Sequence, residues 1–60
     1  MAKFFQEAFE TGQQVRIIKG HDRGKVGFYL GLKNNSNWHV VDVDGFELLL
    51  NKDELEAYEP

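Results

Sequence analysis

The sequence predicts a small all-β barrel of five short strands, and three observations carry that prediction. Alternating apolar and polar residues recur in short runs, as in Val15-Arg16-Ile17 and Val41-Asp42-Val43, which is the period of a half-buried strand. Between Val43 and Phe46 stands Asp44-Gly45, a strong signal for a two-residue type I′ hairpin turn. Between the first two runs lies Lys19–Gly27, a polar loop with glycine at positions 20, 24 and 27. Such a loop between two apolar runs reads as a turn joining paired strands.

The elements follow in order. Phe4, Phe5, Ala8 and Phe9 share one side of a short helix if residues 1–10 are helical. Two turns are marginal alone, and Thr11-Gly12 ends them. The division is therefore an N-terminal helical arm over 1–11 and a barrel over 12–60. The arm has two open fates: covering one end of the barrel with its phenylalanines as core, or docking on a partner. The first strand is expected over 14–19, with Val15 and Ile17 on one face. The second is expected over 25–32, with Val26, Phe28, Leu30 and Leu32 on one face and Lys25, Gly27, Tyr29 and Gly31 on the other. Glycine at 27 and 31 reads as a bulge or bend, which a small closed barrel requires.

After the polar turn 33–37, a third strand is expected over 38–43. The Asp44-Gly45 turn sets its register with the fourth: Val43 opposite Phe46, Val41 opposite Leu48, His39 opposite Leu50. Val41, Val43, Phe46, Leu48 and Leu50 are then core. Trp38, Val40, Asp42, Glu47 and Leu49 take the other face, whose apolar end needs a cover of its own. Asn51 opens a single helical turn with Asp53 and Glu54 near its start, where the helix dipole favours acids. Leu55–Tyr58 closes the fold. Five short strands, one tight hairpin and a late helical turn describe an SH3-like barrel.

Composition bounds the function. Sixty residues make one domain, of a size that hides only roughly 60% of its unfolded surface. There is no cysteine, so disulfides, thiolate zinc sites and thiol redox chemistry are excluded. No apolar run approaches the ~20 residues of a membrane helix, and Glu7 and Glu10 interrupt any signal-peptide core. A cytoplasmic protein without membrane contact is expected. The net charge of −3 is unevenly spread: residues 1–33 hold six Lys/Arg against three Asp/Glu, and residues 34–60 hold one against seven. That asymmetry is compatible with a basic binding face opposite an acidic one.

The segment Gly12, Val15, Ile17, Gly20, Asp22, Gly24, Lys25 and Gly27 resembles the KOW motif. The tail from Phe46 to Leu50, followed by Asn51-Lys52-Asp53-Glu54-Leu55-Glu56, is similar to the last hairpin and closing strand of the C-terminal domain of NusG-type transcription factors. Together these stretches span roughly 12–58. The resemblance implies an SH3-like, KOW-type barrel and a role in a ribonucleoprotein or transcription complex. The acidic second half departs from the basic character of ribosomal KOW proteins.

Catalysis is not expected. Ser36 and Thr11 lie in unrelated turns, giving no nucleophile–histidine arrangement. His39 falls on the face opposite Asp42 and Asp44, and His21-Asp22 lacks a third ligand, so no metal is expected. No helix follows Gly27, so the glycines form no phosphate-binding loop. No cofactor or small-molecule substrate is expected, and the oligomeric state is left open. Binding remains. The leading expectation is contact with RNA, or with a protein of a ribonucleoprotein or transcription complex, through Arg16, Lys19, His21, Arg23, Lys25, Tyr29 and Lys33. Tyr29 would stack beside Lys25. The alternative is a small structural or regulatory subunit that binds protein only, through Phe4, Phe5, Tyr29, Trp38, Val40 and Leu49.

Overall fold

Five strands form in the order the alternation indicates: β1 (Gln14–Ile17), β2 (Val26–Leu32), β3 (His39–Val43), β4 (Phe46–Leu50) and β5 (Leu55–Ala57). They come from a computed structural model that describes residues 9–34 and 36–59. The helical arm expected over 1–11, with Phe4 and Phe5, lies outside the described residues except for its last three positions. All strands are antiparallel in one sheet of order β4-β3-β2-β1-β5. A single 3-10 turn, Lys52–Glu54, separates β4 from β5. The described residues thus form a small all-β, barrel-like domain.

The strands are shorter than their apolar runs. β1 stops at Ile17, which closes onto the loop by accepting from Gly24 N–H at 2.7 Å, while Ile18 N–H, on the β5 side by alternation, donates to the Glu54 carbonyl at 2.8 Å. The loop that follows is built from tight turns, with Arg23 N–H donating to Gly20 O and Lys25 N–H to Asp22 O. Gly24 has φ +97°, a region that side-chain-bearing residues occupy at a cost. At the β3–β4 hairpin Asp44 and Gly45 both have positive φ, 53° and 88°, as a type I′ turn requires. The register is the expected one, with Val43 opposite Phe46, Val41 opposite Leu48 and His39 opposite Leu50. Asn51 and Glu54 brace the helical turn reciprocally. Asn51 N–H donates to Glu54 Oε1 at 2.7 Å, and Glu54 N–H donates to the Asn51 carbonyl at 3.0 Å.

The core is Val15, Ile17, Tyr29, Val41, Val43, Leu50 and Leu55, with Phe9 and Leu48 packed against it. Two expectations are corrected here. Phe46, expected in the core, is 72% exposed. It sits beside the turn on an edge strand, and among the described residues no strand lies beyond it to cover the ring. Tyr29, expected on an open binding face, is buried. It stands opposite Val41, and the preceding inward residue, Gly27, stands opposite Val15, so this face of β2 is the core face. Phe28, Leu30 and Leu32 are the exposed residues of β2.

The two strand glycines differ in purpose. Gly31 belongs to a bulge: Tyr29 pairs with Val41 and Gly31 with Val40, leaving Leu30 as the extra residue. Gly27 marks a close approach instead. A Cβ there would collide with the Asp42 carbonyl and come within 2.7 Å of Val43 Cγ2 and 2.9 Å of Val41 Cγ1.

Candidate functional site

The cations of the first hairpin are gathered by β1 and its loop, but the closing strand brings acids to them. β5 pairs with β1, setting Glu56 opposite Arg16. Arg16 Nη2 lies 2.8 Å from Glu56 Oε2, Arg16 Nε donates to the same oxygen at 2.9 Å, and the guanidinium lies 5.4 Å from the centre of the Tyr58 ring. Lys19 Nζ lies 3.5 Å from Asp53 Oδ2. Within the loop Lys25 Nζ donates to Asp22 Oδ1 at 2.9 Å, and His21 Nδ1 lies 3.6 Å from that oxygen. The hydrogen bond from Lys25 holds the Asp22 carboxyl below its ordinary range, outweighing partial burial, and the charges of Lys25 and His21 add to the effect. Among the described residues, Arg23 and Lys33 alone of the expected cationic set take no ion pair. Positive and negative halves of the sequence therefore interleave in space.

The other expected residues divide between the two faces of the sheet. Tyr29 lies inside, its hydroxyl sharing a 2.7 Å hydrogen bond with His39 Nδ1 and its ring centre 5.4 Å from that of Phe9. Trp38, Val40 and Leu49 lie together on the outer face of β2–β3–β4. Val40 pairs with Leu49 and with Gly31, and Trp38 lies just before β3, on the same face by alternation. Phe28 and the bulged Leu30 join them from β2. Phe28 is 49% exposed, Leu30 41%, Trp38 43% and Leu49 45%. Asp42 and Glu47, opposite each other and next in the row to Phe28, give one end of this apolar face a negative rim.

Phe28 and Leu30 are the members that sequence reasoning missed. Alternation groups Phe28 and Leu30 on one face of β2 without saying which face turns inward; pairing with β1 and β3 decides that. Among the described residues no pocket is found, no three His, Cys, Asp or Glu side chains gather as a metal set, and no helix is long and apolar enough to cross a membrane.

Comparison with family models, with curated proteins and with solved structures found no match for this chain.

Proposed function

We propose that this chain is a non-enzymatic binding module on an SH3-like, KOW-type barrel, and that its partner is a protein seated on the outer face of β2–β3–β4. The SH3-like reading is supported by the strand order and by the helical turn before the closing strand. The observation that carries the function is the group Phe28, Leu30, Trp38 and Leu49, large apolar side chains left exposed together around Val40. Contiguous apolar surface of this kind marks interaction sites, and a tryptophan is a common anchor within them. The acids Asp42 and Glu47 suit a partner whose apolar surface is bordered by Lys or Arg.

A second reading keeps the ribonucleoprotein or transcription complex and uses the first loop. It is favoured by Arg23 and Lys33, whose charges have no acid beside them among the described residues. The remaining cations already have acids beside them, which lowers what they offer a phosphate.

One set of captures from the native lysate separates the two. The bait is the full chain, the Trp38→Ala variant or the Arg23→Glu/Lys25→Glu variant, with and without nuclease and across a salt series. The protein reading expects capture that resists nuclease and salt, survives the charge reversal, and is lost with Trp38→Ala at an unchanged melting temperature. Capture that is abolished by nuclease or by the charge reversal, and that persists with Trp38→Ala, overturns it in favour of the loop. Half-exposed Trp38 makes the folded variant attainable.

A further inference from the structure

β4 ends the sheet on one side and β5 on the other, and the two edges are built differently. β5 has three residues, and its central Glu56 is held by Arg16. Shortness and charge are ordinary ways of closing an edge to other strands. β4 has five residues, Phe46-Glu47-Leu48-Leu49-Leu50, in unbroken register with β3. It has no proline, lysine or bulge, and its first side chain, Phe46, is the most exposed large apolar residue described.

The free hydrogen-bonding groups of this edge can be identified. A two-residue turn makes Val43 and Phe46 the first bonded pair, and antiparallel pairs alternate. Val41–Leu48 and His39–Leu50 are then bonded as well, so Phe46, Leu48 and Leu50 direct their backbone groups to β3. Glu47 and Leu49 direct theirs outward. Just beyond, the row is closed at both ends: Gly45 N–H donates to Asp42 Oδ1 at 3.0 Å, and Asn51 N–H donates to Glu54 Oε1 at 2.7 Å. Among the described residues, the open edge is Glu47 and Leu49.

We propose that β4 is the pairing edge of a two-fold dimer, and that its occupant is β4 of a second copy of this chain, antiparallel and centred on Leu48. In this register Glu47 and Leu49 exchange N–H···O bonds with Leu49 and Glu47 of the second copy, and every outward group of the open edge is satisfied. Leu48 meets Leu48 of the second copy on the core-side face. Phe46 lies opposite Leu50 of the second copy, which covers its exposed ring. Lys52 of each copy comes up to Asp44 in the other's turn, opposite charges brought together twice by the symmetry.

The neighbouring two-fold registers are worse on stated grounds. Centring on Glu47 sets two carboxylates face to face and calls on the Gly45 amide already given to Asp42. Centring on Leu49 calls on the Asn51 amide already given to Glu54. A single strand pair falls short of the ~1,000 Å² that a stable interface clears, so the dimer is weak and depends on concentration.

The test uses the full chain, by sedimentation velocity from micromolar to millimolar concentration and by amide exchange of the same samples. The expected result is a monomer–dimer equilibrium in which the Glu47 and Leu49 amides become slower to exchange as dimer fills. Phe46→Lys, at a site too exposed to carry the fold, should weaken self-association by about tenfold or more. Lys52→Asp should weaken it too, and Trp38→Ala should leave it intact. Sedimentation as a monomer throughout the range overturns the proposal. So does a dimer whose Glu47 and Leu49 amides exchange as they do in the monomer, because that dimer uses another surface. The outcome is separate from the protein reading above, which depends on Trp38 and not on Phe46.

Discussion

Two glycines of the same stretch, Gly24 and Gly27, resist substitution for unrelated reasons. Gly24 has open space around it but a φ of +97°, so only backbone strain opposes a side chain. Gly24→Val should cost about 1–2 kcal/mol, since β-branched residues tolerate that conformation badly. Gly27 has no positive φ; its missing side chain leaves room for the Asp42 carbonyl and two valine methyl groups. Gly27→Ala should cost about 3 kcal/mol, because a backbone carbonyl cannot swing aside as a flexible side chain would. Chemical denaturation of both variants checks the order, and a Gly27→Ala protein as stable as the parent would contradict the packing of β2 on β3. The loop glycine was legible from sequence through its place between two strands. The reason for Gly27 was not, because it depends on which residues lie opposite it.

At the scale of elements, all five strands and the late helical turn were legible, and the β3–β4 register was legible residue by residue. Asp44-Gly45 determines that register locally. What was not legible was which face of β2 turns inward. Phe28, Leu30 and Leu32 are the larger apolar set, yet the sheet buries the Gly27–Tyr29 face. The choice is made by pairing, which sets Gly27 opposite Val15 of β1 and Tyr29 opposite Val41 of β3. Tyr29 then serves as a cross-strand tie, its hydroxyl on His39 Nδ1 from the neighbouring strand. Tyr29→Phe keeps the ring packing and removes that bond, and should lower stability by about 1–2 kcal/mol. Urea denaturation with an unchanged slope would show the loss; an unchanged midpoint would show that the bond contributes nothing net.

Across the whole molecule, the uneven charge of the sequence suggested a basic face turned away from an acidic one. The fold removes that separation, because β5 returns the acidic tail to β1 and sets Glu56 on Arg16 and Asp53 near Lys19. Linear charge patterning carries no information about such a return. The apolar end of the β3–β4 hairpin was legible as a surface needing a cover, and Trp38, Val40 and Leu49 do lie there. Its extension onto β2 depended on the inward turn of Tyr29.

The same return of β5 orders the folding reaction in time. Every other strand pair joins neighbours in sequence, whereas β1 and β5 meet only when Ile17 finds Leu55. Closing so long a loop is entropically late relative to hairpin formation. Leu55→Ala should therefore lower stability by about 2–4 kcal/mol, mostly by accelerating unfolding, with the refolding rate nearly unchanged. Stopped-flow chevrons read this directly, and a refolding arm slowed as much as the unfolding arm is quickened would place β5 in the nucleus. Until the β1–β5 latch closes, the first four strands are an open meander in which β1 is a second bare edge.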